Sequence, residues 1–176
     1  MNFNIGDTVM KSGLGICKIK AIRKMEVEGV EQQFYVLQSG DVKVMVPFSF
    51  AHAGGLRFLL DEDAIEKILE FFHTPIRLPE EGAETTDLYG IQVDQAKEDI
   101  KQRRTDAIVE IVKTLFYKDK IVELAKAEAE IYQNALAAIA EEIAHIQHSS
   151  RQKIINRIKS ALTEGRRTRR DHHVQR

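Results

Sequence analysis

Between Ile5 and Pro47, apolar and polar residues alternate in short runs broken by glycine. Val9 and Met10 precede Ser12-Gly13. From Gly15 to Ile22, the apolar Cys17, Ile19 and Ala21 alternate with Lys18 and Lys20. That period of two is what a strand needs to bury one face. Glu28-Gly29 turns the chain, Phe34 to Leu37 forms the next run, and Ser39-Gly40-Asp41 turns it again. Val42, Val44 and Val46 then alternate with Lys43 and Met45 until Pro47, which has no N–H to give to a ladder. Strands this short and this tightly joined would leave bare edges if they lay flat. The pattern therefore predicts a small antiparallel β-barrel.

The period changes after Leu60. Asp61 reads as an N-cap, and Ile65, Ile68, Leu69 and Phe72 follow at helical spacing, in a helix expected to cover one end of the barrel. His73 to Asp87 holds Pro75, Pro79, Gly82 and Glu80-Glu81, so the domain boundary is expected there, with a linker over 75–86. Beyond it, Thr85, Thr86 or Asp87 would cap a helix through Val93, Ala96 and Ile100. Asp106 would start another with Ile108, Ile111, Val112 and Leu115 on one face. A third, from about Val122 to Gln147, carries Ala127, Ile131, Ala135, Ile139, Ile143 and Ile146 on one side. A last one, Arg151 to Leu162, sets Ile154, Ile155, Ile158 and Leu162 among Arg151, Lys153, Arg157 and Lys159. Gly165 is its expected C-cap, and 166–176 is expected to be disordered. The expected class is α+β in two domains. A β module over 1–74 precedes a helical domain over 87–149, and 150–176 adds a basic helix and tail.

The chain of 176 residues is 43% hydrophobic, enough for a core, and lacks tryptophan. Its single cysteine, Cys17, permits no internal disulfide and is expected to pack as a small apolar residue. No leader or long apolar run is seen, so a cytoplasmic protein without membrane contact is expected. The net charge of −1 conceals an asymmetry: residues 150–176 carry +7 and residues 1–149 carry −8. A basic end on an acidic body suits a polyanionic partner, and equally a solvated end that keeps the protein dispersed.

Several segments together resemble the CarD-like family of bacterial transcription regulators, whose N-terminal module is shared with the transcription-repair coupling factor. They are Phe3-x-x-Gly-Asp-x-Val, Gly13-x-Gly15, Phe34-Tyr35-Val36-Leu37 and Val44-Met45-Val46-Pro47. In the helices they are Ile108 to Leu115, and Glu128-x-x-Ile-Tyr-x-x-Ala running on to Ala144. The resemblance covers about residues 1–147. It implies a Tudor/SH3-like barrel that pairs an edge strand with the β subunit of RNA polymerase, and a helical domain that touches double-stranded promoter DNA. A wedge residue there slows collapse of the melted promoter, so the protein stabilises the open complex without catalysis. On this sequence the resemblance implies polymerase contacts at Met25, Lys43, Val44, Met45 and Pro47, and a wedge at Tyr89 where the family has tryptophan.

Departures accompany it. Met25 and Met45 stand where the family often has arginine, and Gly90 to Asp94 lack its usual basic residues. Candidate phosphate contacts are Lys113, Lys118, Lys120 and Lys126, with Arg166, Arg167, Arg169 and Arg170 the strongest electrostatic signal. For any one of these lysines a solvated helix end is the plainer reading, and Tyr89 reads also as a core or hinge residue. His145 and His148 lack a ligand set that would complete a metal site, and neither catalytic nor cofactor motifs occur. A non-enzymatic, monomeric polymerase- and DNA-binding regulator is the expectation. The alternatives are an architectural DNA-binding protein independent of polymerase, or a helical interaction adaptor.

Overall fold

The computed structural model describes residues 3–75 and 90–173, with side chains described as far as Gly165. The fold is α+β, in two compact units: Met1–Leu59 with Lys101–Arg103, and Leu60–Ile100 with Arg104–Arg176.

The first unit is a five-stranded antiparallel sheet. Its strands are β1 (Thr8–Lys11), β2 (Gly15–Val27), β3 (Val30–Ser39), β4 (Val42–Pro47) and β5 (Leu56–Phe58), in the spatial order β4-β3-β2-β1-β5. The four runs read from the alternation are strands β1 to β4. Glu28 and Gly29, at φ 53° and 80°, form the two-residue turn between Val27 and Val30. Positive φ at both central positions is the turn geometry that matches strand twist.

The sheet is open, which corrects the expected barrel. Two features keep it from closing. The β2–β3 hairpin continues as a two-stranded ribbon past the reach of β1 and β4, which pair with it at Gly15–Lys18 and Phe34–Ser39 respectively. At the far side β5 is three residues long and pairs with β1 alone. Its brevity leaves no periodic signal, so β5 went unread in the sequence. Aromatic cover takes the place of a closing strand. Phe48 stacks on Tyr35 at 3.9 Å between centroids, and Phe3 meets the Tyr35 ring edge-on at 5.7 Å. Beneath them Val9, Cys17, Ile19, Leu37, Val46 and Leu56 form the core. Burial pushes the Cys17 thiol above its ordinary pKa, in keeping with a packing role.

Among the described residues the second unit has five helices: α1 (Glu62–His73), α2 (Val93–Lys101), α3 (Thr105–Lys118), α4 (Lys126–Ile146) and α5 (Arg151–His173). Asp61 caps α1 as its position predicts, its Oδ1 accepting the Ala64 N–H at 2.8 Å. The expected role of α1 is corrected, however. Ile65, Leu69 and Phe72 pack into the helical core with Ile139, Ile143 and Ile158, so α1 belongs with the helices. Most of the segment expected to be the linker lies outside the described residues, as do Thr85, Thr86 and Asp87. Helix α4 starts at Lys126, later than predicted, because Glu128 reaches back to accept the Ala125 N–H at 3.2 Å and closes the first turn there.

Helix α5 corrects a second expectation. Gly165 does not end it: the backbone stays helical to His173. Ile154, Ile158, Ala161, Leu162 and Gly165 form its buried stripe. Gly165 serves close approach. A Cβ there would lie 2.7 Å from the His73 carbonyl carbon and 3.0 Å from the Phe72 oxygen, at the last turn of α1. These are backbone atoms and cannot rotate away. Gly165→Ala gains about 1 kcal/mol of helix propensity but forces α5 off α1, at a cost of about 1–3 kcal/mol. The variant is expected to unfold at lower denaturant than wild type, whereas Ser160→Ala on the exposed side leaves the midpoint in place. Equal midpoints for Gly165→Ala and wild type would contradict the close-approach role.

Candidate functional site

The geometry of the sheet turns on one residue. Ile19 pairs with Leu37 and Ala21 with Val36, so Lys20 is an extra residue in β2. Such a bulge moves every later side chain of its strand to the opposite face. Before it, Cys17 and Ile19 point to the core. Past it, cross-strand partners share the opposite, outer face in rows: Ala21 with Val36 and Met45, Arg23 with Phe34 and Pro47, Met25 with Gln32. Lys18, Gln38 and Lys43 form a further row on this face.

Four of the five predicted polymerase-binding residues therefore lie together. Met25, Lys43, Met45 and Pro47 are on the outer face, with Met45 40% and Met25 44% exposed. Val44 is not with them: it pairs with Leu37 and packs against the core from the inner side. The outer face also gathers residues that sequence reading missed. Phe34 and Val36 widen its apolar centre, while Lys18 and Arg23 add cations beside Lys43. Lys18 and Arg23 stand on opposite sides of the bulge, so simple alternation cannot place both on one face. β4 is an edge strand with β3 as its single partner in the sheet, so one row of its backbone groups is left for pairing outside the sheet.

The predicted DNA-binding lysines divide. Lys113 is 3% exposed, and its ammonium donates to the Phe71 carbonyl at 2.5 Å and to Thr74 Oγ1 at 2.7 Å. It also sits over the Phe71 ring, 3.9 Å from the centroid. It caps the C-terminus of α1, where the helix dipole favours a cation, so the expected phosphate contact gives way to an internal one. Lys118 pairs with Glu128 at 2.7 Å, the two side chains only 12% and 13% exposed, and ties the end of α3 to the start of α4. Lys120 and Lys126 remain exposed beside the loop between those helices. Arg166, Arg167, Arg169 and Arg170 stand on the continuing backbone of α5. Tyr89 lies outside the described residues.

His145 is exposed on the last turn of α4, and His148 follows in the turn to α5 at φ 48°. Among the described residues no three metal-ligating side chains come together, and no helix is long and apolar enough to cross a membrane.

Residues 3–59 match the family model of the CarD-like/TRCF RID domain. The match supports the CarD-like assignment of this chain and coincides with the sheet unit. The unit is thus one of a family of RNA polymerase-interacting domains, and the outer face and the β4 edge are features of that domain.

Burial of Lys113 leaves a signature in the pH dependence of stability. Desolvation lowers its pKa from the ordinary 10.5, against the opposing pull of Glu110. The unfolded chain then holds the proton more readily than the folded one, so stability rises with pH through the alkaline range up to about 10.5. Lys113→Met, which keeps the aliphatic stem, is expected to lose that rise in denaturant midpoints measured across the same range. Lys113→Ala is expected to cost about 2–3 kcal/mol of stability, against at most about 0.5 kcal/mol for Lys126→Ala. Equal losses for Lys113→Ala and Lys126→Ala would return Lys113 to the surface.

Proposed function

We propose, from the match of residues 3–59 to the CarD-like/TRCF RID domain, that this chain is a non-enzymatic, cytoplasmic bacterial transcription regulator. It binds the β subunit of RNA polymerase through its sheet unit and promoter DNA through its helical unit, as a monomer. In doing so it stabilises the open promoter complex.

The observation that carries this reading is the union of an edge strand and an apolar outer face within the matched segment. Backbone groups along the β4 edge supply hydrogen bonds to an added strand, and side chains at alternate positions supply specificity. On β4 those outward positions are Lys43, Met45 and Pro47. Met45 sits beside Val36 and Ala21, and Pro47 beside Phe34, with Lys18, Arg23 and Lys43 around them. This favours a partner surface with an apolar centre and acidic surroundings. Methionine suits such a contact because its unbranched, polarisable side chain adapts to irregular surfaces.

The effect on transcription follows from linkage. A protein that binds the open complex more tightly than the closed one shifts the balance by its difference in affinity, tenfold for about 1.4 kcal/mol. Two attachments, to polymerase and to DNA, let modest individual contacts add up once both are engaged.

Capture of purified RNA polymerase by the full-length chain tests the reading. Wild type is expected to retain polymerase, and Met45→Glu to weaken capture at least tenfold while its unfolding midpoint stays near wild type. A charge at a 40% exposed position leaves the core intact and opposes the acidic surroundings expected of the partner. Capture by Met45→Glu equal to wild type would contradict the assignment of the outer face.

A further inference from the structure

Helix α5 presents a second surface, basic from Arg151 to Lys159. Its buried stripe, Ile154, Ile158, Ala161 and Leu162, fixes it against the helical core. Between Arg151 and Glu164 most of the remaining positions are exposed, among them Arg151, Lys153, Arg157 and Lys159. Arg157 Nη1 donates to the Gln147 side chain at 3.1 Å, a neutral partner that leaves its charge uncompensated. Among the described residues, none of Arg151, Lys153 and Lys159 is held in an ion pair. Lys113 and Lys118 differ in that internal partners occupy them. The backbone then carries positions 166, 167, 169 and 170 onward in the same helix, so eight basic positions span about 29 Å.

We propose that α5 is a rigid phosphate-binding helix for duplex DNA, with Arg151, Lys153, Arg157 and Lys159 its primary contacts. The proposal rests on the DNA-contacting role given above to the helical unit and names the element that carries it. Three observations select the partner. Residues 60–149 hold 10 basic against 20 acidic residues, a net −10, so the rest of the helical part repels a polyanion that this helix attracts. The other exposed residues between Arg151 and Thr163 are neutral hydrogen-bonding groups, Gln152, Asn156, Ser160 and Thr163, of the kind that complete phosphate contacts. Finally, no exposed residue of α5 as far as Glu164 is aromatic, and single-stranded nucleic acids are held largely by stacking on aromatic rings. What remains is backbone contact with a duplex, independent of base sequence.

The test measures binding of the full-length chain to a fluorescently labelled DNA duplex over a series of KCl concentrations. Removing one phosphate-binding cation makes the slope of log K against log salt shallower by about 0.9. The variant R151Q/K153Q/R157Q/K159Q is expected to flatten the slope by about 3–4, equally for unrelated duplex sequences. K120Q/K126Q is expected to have a smaller effect, and R151K/R157K, which keeps the charges, to retain the wild-type slope. Unfolding midpoints of all three are checked against wild type. An unchanged slope for the fourfold variant overturns the proposal, as does tighter binding of single-stranded RNA than of duplex DNA. Polymerase capture by the fourfold variant separates the two levels. With capture kept and the slope unchanged, the assignment of α5 fails alone. With neither capture nor duplex binding by wild type, the function it rests on fails too.

Discussion

The bulge at Lys20 decides what the sheet unit offers to a partner. A strand alternates its side chains strictly, so one inserted residue exchanges the two faces for the rest of its length. Without it Met25 would follow Cys17 and Ile19 inward, and Arg23 with it. With it, both join Lys43, Met45 and Pro47 on the outer face, across Phe34 and Val36 of β3. The core is undisturbed because the bulge falls where burial is ending: Ile19 is buried, Ala21 is partly covered, and the hairpin beyond is largely exposed. The same hairpin, too long for its neighbours to follow, helps to hold the sheet open and leaves β4 as an edge.

In the helical unit, cations do two kinds of work. Lys113 and Lys118 act within the fold, at the ends of α1 and α3, where their charges meet helix carbonyls or a carboxylate with little solvent. Such pairs give geometry more than net stability, since taking the charges out of water offsets much of their attraction. Arg151, Lys153, Arg157 and Lys159 of α5 stay in solvent, as a cation must to exchange counterions for phosphate. Gly165 links the two roles. Its missing side chain lets α5 lie close to the last turn of α1, the turn that Lys113 caps, and keeps the basic helix seated on the core.

Much of this was legible in the sequence, for definable reasons. Alternation at Cys17–Ile19 and Val42–Val46, the Glu28-Gly29 turn and the Asp61 cap are local signals, and each led to the observed element. What escaped depends on distant contacts. The Lys20 bulge is visible only once β2 is paired with β3. The burial of Lys113 requires the carbonyl of Phe71, 42 residues earlier, and on α3 alone the residue looks like any exposed helix lysine. Gly165 carries the usual signature of a helix end, and only the approach of α1 explains it as a contact. The family resemblance pointed to the outer-face methionines, but it gave no indication of Lys18, Arg23, Phe34 and Val36 beside them.

Amide hydrogen exchange of the full-length chain, alone and with RNA polymerase, tests the central claim most directly, because it reads the β4 backbone itself. Slowed exchange over Val42–Pro47 is predicted when polymerase is bound, with α5 unchanged until duplex DNA is added. Polymerase binding that leaves β4 unprotected, or that protects α5 in the absence of DNA, would contradict it.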